Sequence, residues 1–360
     1  MTQTPPLSKF LSRALSLGAS DIHLSTGQPA AYRVHGQLQK DEEILSANNL
    51  EALLASLWNG NMNPLIDEGS IDFCYSSDDG NRYRVNAYRS MNTLALALRY
   101  LENNFTNLQD LHLPTAINDL AQAHSGLVLV CGATGSGKST TLAAMLNQIN
   151  EQRAVHMLTI EDPVEFIHQP KKAVIHQREL GQDFIDFPHA VRAALREDPD
   201  VLMVGEMRDI ETIRAALTAA ETGHLVFSTL HTNDAVSSVE RLIGAFPGNE
   251  QDMCRIRLSR CLRAVIAQRL IPTSNGLGRV PAVEILLENS AVSNLIENDK
   301  TRQLYSAIES NRKTGMQTLD QALADLVSNR WITLETAQGC AKHPQSISKL
   351  MSQAGSQNGH

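Results

Sequence analysis

Residues 126–141 read Gly126-Leu-Val-Leu-Val-Cys131-Gly132-Ala133-Thr134-Gly135-Ser136-Gly137-Lys138-Ser139-Thr140-Thr141. An apolar run of strand length passes straight into a loop of the form G-x-x-x-x-G-K-[ST], and a helix-forming stretch follows, the context that gives this motif its mechanism. Glycines let the backbone wrap so that its N–H groups and the helix N-terminus face phosphates. Lys138 brings a point charge to the β- and γ-phosphates, and Ser139 a hydroxyl to Mg2+. The segment predicts a site for ATP and Mg2+ in which Gly132 through Thr140 bind the cofactor. A glycine-rich turn with a surface lysine would require neither the strand before it nor the helix after it.

Downstream, apolar runs at Leu127 to Cys131, Met157 to Ile160, Val201 to Val204 and Leu225 to Thr229 alternate with helical stretches near 138–150, 189–197 and 209–222. That alternation predicts a parallel sheet with right-handed crossovers. Carboxylates stand at two strand ends, in Glu161-Asp162-Pro163 and in Gly205-Glu206, where α/β sheets place ligand chemistry. Hydrolysis needs one carboxylate to orient water and others to hold Mg2+, directly or through water. Glu161 and Glu206 are the candidates for both tasks, and the residues leave open which is the base. In Gly223-His224-Leu-Val-Phe-Ser-Thr-Leu-His231-Thr232 an imidazole at each end of a strand can contact a γ-phosphate, while the H-x6-H spacing does not suit zinc. From about Asp234 the pattern reads as mostly helical, ending in a polar tail over 346–360.

Upstream, residues 1–105 read as a small α+β domain with strands at Asp21 to Leu24 and Ala31 to Leu38 and a helix at Ala47 to Trp58. A hairpin follows, with arms Ile71 to Tyr75 and Arg82 to Tyr88 joined by Asp78-Asp79-Gly80. Leu94 to Leu101 adds a further strand. An arginine reaching the γ-phosphate, often from a neighbouring subunit, accelerates phosphoryl transfer. The hairpin offers Arg82 and Arg84 on one strand face, with Arg89 beyond and Arg99 on the next strand. Residues 106–114 read as a linker, and 115–345 as the nucleotide-binding domain.

A chain of 360 residues favours two such domains, and its net charge of -8, with no basic stripe, argues against nucleic acid as a partner. Five cysteines, Cys74, Cys131, Cys254, Cys261 and Cys340, contain no Cys-x-x-Cys pair, so a reducing compartment is expected rather than disulfides or a zinc ribbon. The apolar runs are far shorter than the roughly 20 residues that span a bilayer. No signal peptide is expected, and any membrane role passes through a partner rather than direct insertion.

The ordered segments GATGSGKST (132–140), TIEDPVEF (159–166), RAALREDPDVLMVGEMRD (192–209), TAAETGHLVFSTLHT (218–232), RLIGAFPGNEQ (241–251) and LRAVIAQRL (262–270) resemble the secretion ATPases, and among them the type IV pilus retraction branch. GASDIHL (18–24), RYRVNAY (82–88), RVPAVEILL (279–287) and GMQTLDQAL (315–323) extend the likeness over nearly the whole chain. The resemblance implies a PAS-like α+β N-terminal domain and a RecA-like P-loop ATPase domain with a helical C-terminal part. It implies a cytoplasmic homohexamer at the inner face of the inner membrane, acting on a membrane platform protein, with a paralogous retraction ATPase as a further candidate partner. By position, the acidic box holds Glu161 and Asp162, the Walker B glutamate is Glu206, the histidine box holds His224 and His231, and Arg84 and Arg99 match the arginines that serve the neighbouring site. The Walker B strand ends Gly205-Glu206 as in that family rather than Asp-Glu. At 291–298 the chain reads AVSNLIEN where the retraction branch typically reads AIRNLIRE, so Ser293 and Glu297 stand at the arginine positions. An accessory retraction paralogue is thus one alternative. Others are an assembly or type II secretion ATPase, disfavoured by the missing four-cysteine insertion and extra N-terminal domain, a DNA-export ATPase, and a non-hydrolysing nucleotide-binding scaffold.

Overall fold

The computed structural model describes residues 6–58, 60, 62–101 and 106–355. Residues through Leu101, joined by Pro163–Ile167, form one compact unit, and the remainder of the described chain forms another.

The first unit is built on six antiparallel strands: β1 Asp21–Ser25, β2 Pro29–Val34, β3 Gln37–Ile44, β4 Ser70–Ser76, β5 Arg82–Ser90 and β6 Thr93–Leu101, in the order β3-β2-β1-β6-β5-β4. Alternation drives it. Ile22 and Leu24 point into a core with Tyr32, Val85, Leu96 and Leu98, and the helices Leu7–Leu17 and Ala47–Leu57 cover that face with Phe10, Leu11, Leu50 and Leu53. The strand expected over Ala31 to Leu38 is instead broken by a two-residue hairpin at His35-Gly36, both at positive φ (48° and 82°), which pairs Val34 with Gln37. A histidine in that conformation hides the turn from a sequence reading. Arg82, offered with Arg84 on the same strand face, is buried and donates from Nη1 to the Val164 carbonyl at 2.6 Å.

In the second unit β7 Gly126–Cys131, β8 His156–Glu161, β9 Val174–Glu179, β10 Val201–Val204 and β11 Leu225–Leu230 are parallel. They include the four strands expected from the apolar runs. Every residue of β7 and of β11 is buried, as a sheet covered on both faces requires. Leu127 and Leu129 enter one apolar cluster, Val128 and Val130 the other. Leu108, inside the stretch expected as a linker, is buried in the second of these with Ile117.

The C-terminal region is mostly helical, as expected, but it also carries two strands that the sequence reading did not foresee. β12 Leu262–Pro272 runs parallel to β7, and β13 Arg279–Leu287 turns back antiparallel beside it, giving the order β13-β12-β7-β11-β10-β8-β9. The tail is not free after 346. The helix Ile347–Gly355 packs on Leu319–Ser328, and Ile347 is fully buried with Ile271, Leu323 and Ala337. The last part of the expected tail, 356–360, lies outside the described residues. No helix among the described residues is long and apolar enough to cross a membrane.

Ile347→Ala is expected to destabilise this unit by about 2–4 kcal/mol, because the cavity cannot collapse fully against Leu323 and Ala337. Urea unfolding of the two proteins measures the difference, and an unchanged midpoint would mean that the terminal helix contributes nothing to the core.

Candidate nucleotide site

The phosphate loop leaves the C-terminal end of β7 with Gly132, Gly135 and Gly137 at φ 147°, 79° and 87°, a path closed to ordinary side chains. Two of these positions are closed by crowding as well. A Cβ on Gly132 would lie 2.4 Å from the Gln268 carbonyl oxygen, and one on Gly137 2.7 Å from Gln268 Nε2. Gln268, buried on β12, donates Nε2 to the Ser136 carbonyl at 2.8 Å and accepts from Thr141 Oγ1 at 2.8 Å. It thereby joins the loop to the first turn of helix Lys138–Gln152. Lys138 opens that helix and donates Nζ to the carbonyls of Gly132 (2.9 Å) and Ala133 (3.1 Å), so its ammonium lies over the loop. Ser139 and Thr140 follow in the same turn.

Because β7, β11, β10 and β8 are parallel and in step, Leu230, Val204 and Glu161 end at the same edge as the loop. Gly205 then donates its N–H to the Ile160 carbonyl at 2.8 Å. A Cβ there would come within 3.1 Å of the Ile160 oxygen and 3.4 Å of Glu161 Cα, so the missing side chain lets the two carboxylate-bearing strand ends close up. Glu161 is buried, and its Oε1 accepts from Thr159 Oγ1 (2.7 Å) and Gln177 Nε2 (3.2 Å). Glu206 receives Arg208 Nη2 at 2.7 Å on Oε2 and faces His231 Nε2 at 3.4 Å on Oε1. Burial pushes the Glu206 carboxyl up. The Arg208 hydrogen bond and charge, with the charges of His231 and Lys138, outweigh that and hold it below its ordinary value. Lys138 thus senses Glu206, which ties the loop and the second carboxylate into one field.

Among the expected residues, the phosphate loop, Glu161, Glu206 and His231 gather at this edge. His224 does not. It precedes β11 beside Gly126, at the opposite end of the sheet, so about 20 Å of strand separates it from the loop in its own subunit. There its Nδ1 meets the Ala219 carbonyl at 2.9 Å, a local tie in the helix-to-strand turn. Arg84 and Arg99 are register partners on β5 and β6 of the first unit, paired to Asp72 (3.6 Å) and Asp21 (2.8 Å). Gln268, Gln177, Thr159 and Arg208 carry the site's polar support and were missed. Thr159, Arg208 and Gln268 lie inside the quoted segments TIEDPVEF, RAALREDPDVLMVGEMRD and LRAVIAQRL, whereas Gln177 lies in none. No group of three or more histidine, cysteine or acidic side chains with metal-holding geometry occurs among the described residues. The hydroxyl of Ser139 and the carboxylates of Glu161 and Glu206 are hard oxygen donors of the kind Mg2+ accepts alongside water.

The family model described as "Type II/IV secretion system protein" matches residues 3–339. The chain belongs to this family. It is 45% identical over 318 residues to a twitching motility protein of Neisseria gonorrhoeae, covering 88% of this chain and 85% of that one. Against the type IV pilus retraction ATPase PilT of Pseudomonas aeruginosa it is 43% identical over 343 residues, covering 95% and 99%. A crystal structure of the pilus retraction motor PilT with bound ADP superimposes with a TM-score of 0.88 at 41% identity, covering 96% of this chain and 99% of that one. Thus the family expectation and the α/β fold class both stand.

The Glu206 carboxyl ionises more easily folded than unfolded, so its partners stabilise the fold above the ordinary value of 4.5 and lose that contribution as pH falls through the depressed one. Arg208→Ala should therefore lower stability at neutral pH, and the gap to wild type should close on acidification. Urea unfolding across pH reads this, and a gap that persists in acid would show that Arg208 acts by packing instead.

Proposed function

We propose that this chain is an ATP-hydrolysing motor that powers type IV pilus retraction, and so twitching motility. The observation that carries the reading is the convergence of the phosphate loop, Glu161 and Glu206 at one sheet edge, in a chain 43% identical to PilT over nearly its full length.

In this reading the loop N–H groups and Lys138 bind the β- and γ-phosphates of ATP. The Ser139 hydroxyl, and Glu161 and Glu206 through water, would hold Mg2+, which would supply positive charge against that developing on the phosphates. Glu161, with Oε1 already engaged by Thr159 and Gln177, presents a pre-oriented carboxylate to the attacking water. Glu206 and His231 form the other wall, where the imidazole can follow the γ-phosphate. The chain works as a homohexamer in the cytoplasm, at the inner face of the inner membrane. Arg84 and Arg99 of one subunit serve the nucleotide of the next. ATP binding and release rotate the domains and pass a stroke to an inner-membrane platform protein, from which pilin is withdrawn.

Glu206→Ala should retain nucleotide binding while losing turnover by about 10²-fold or more, whereas Lys138→Ala should lose both. Equilibrium binding of a fluorescent ATP analogue and phosphate release separate the two effects, and wild-type turnover in Glu206→Ala would remove that residue from catalysis. In cells, deleting the chain should leave labelled pili that extend but do not shorten, restored by wild type and not by Lys138→Ala. If pili never appear, the chain is an assembly motor. If filament behaviour is unchanged, the retraction reading fails.

A further inference from the structure

At the end of the sheet remote from the nucleotide, two imidazoles meet across neighbouring strands. His156 opens β8 and His176 lies on β9, the edge strand, with His156 Nε2 and His176 Nδ1 2.8 Å apart and their rings nearly perpendicular. The protons on this pair are fixed by its other partners. His156 Nδ1 lies 3.0 Å from the Asp198 carbonyl oxygen, which can only accept, so that nitrogen carries the proton and Nε2 presents its lone pair. His176 Nδ1 must then be the donor between the rings. Asp198 adopts φ 55°, turning its carbonyl toward the ring, and the Asp200 carboxylate holds the His156 backbone N–H at 2.8 Å.

A backbone carbonyl holding Nδ1–H of a histidine whose Nε2 points outward is the arrangement that orients imidazole ligands for a metal. The two facing nitrogens need to part from 2.8 Å to roughly 3.3 Å for a tetrahedral ion at Zn–N of about 2.0–2.1 Å. His176 is exposed on the edge strand, so a small ring rotation provides this. We propose that His156 and His176 form a surface site for a borderline-soft divalent cation, Zn2+ by preference, with two imidazole ligands and water in the remaining positions. On binding, neutral His176 exchanges its Nδ1 proton for one on Nε2 through water, which frees the Nδ1 lone pair without net proton release. The aspartates at 198 and 200 add negative charge nearby. Bound metal would clamp the edge strand β9 to β8. This site stands apart from the nucleotide chemistry and does not depend on it.

The test is titration of Zn2+ and Co2+ into the full, nucleotide-free chain after removal of any polyhistidine tag. Expected are saturable binding of one ion, a rise in unfolding temperature with Zn2+, and a Co2+ spectrum lacking thiolate charge-transfer bands, which excludes Cys74 and Cys340 as ligands. His176→Ala and His176→Asn should each weaken binding by about tenfold or more while leaving the circular dichroism spectrum unchanged. His156→Ala should do the same. Wild-type affinity in the His176 variants, thiolate bands with Co2+, or no saturable binding at micromolar metal would overturn the proposal.

Discussion

The nucleotide loop depends on a strand that is not its own. Gln268 of β12 lays its carbonyl oxygen where a side chain on Gly132 would be, and its amide against Gly137, Ser136 and Thr141. A loop with three residues at positive φ has little conformational preference for one path in solution, because glycine is free to take many. Burial of Gln268 with both ends of its amide satisfied removes that freedom. The helix Lys138–Gln152 is thereby aimed with its N-terminus at the phosphates, and Lys138 is held over the loop. The β12–β13 pair also reaches the other side of the site. Glu284, paired in register with Ala267, is buried and accepts the Ala235 N–H at 2.8 Å, anchoring the helix that follows His231. Burial raises the Glu284 carboxyl, with the nearby Asp234 charge acting in the same direction, against backbone N–H groups that favour the anion.

On the far side of β7, contact between backbones does the comparable job. Gly205 allows β10 to end against Ile160 and Glu161, and Thr229 on β11 donates to the Gly205 carbonyl at 2.6 Å. Successive strands are therefore tied across their ends by one glycine and two hydroxyls, since Ser228 likewise donates to Val204. Within this frame the two carboxylates differ in kind. Glu161 is buried and accepts from Thr159 and Gln177, whereas Glu206 is partly exposed and surrounded by Arg208, His231 and Lys138. Such divergence of environment is how two acidic groups come to divide the roles of base and charge partner.

Four strands of the parallel core were legible because they are unbroken apolar runs set off by glycine and acidic residues, and the loop because its motif sits between strand and helix. β12 and β13 were not. The helix Gln251–Cys261 passes directly into Leu262 with no glycine or proline, and apolar residues such as Ile256, Leu258, Leu262, Val265 and Ile266 recur at intervals that also suit a helix. Long-range pairing with β7 decides the matter, and nothing local reports it. The supports of Glu161 were hidden for a similar reason, since Gln177 comes from β9, a polar strand of VIHQRE with no apolar signal. His224 and His231 share a motif in chain order, while a strand of six residues carries its two ends to opposite edges of the sheet within one subunit.

That polar edge strand raises a question of register. β9 exposes Val174 and His176 and lacks the buried alternation that normally prevents a strand from slipping. A slip of one residue would turn every side chain to the other face. Two side-chain ties oppose it, one on each face. Gln177 reaches Glu161 with its Nε2 and accepts the His168 N–H on Oε1 at 2.8 Å, while His176 meets His156 from the other side. A displacement of β9 in either direction costs both, and with them a donor that orients the Glu161 carboxylate. The polar edge strand is thus one whose position bears directly on the geometry of a buried carboxylate, and these polar contacts join the packing of Ile175 in holding it there.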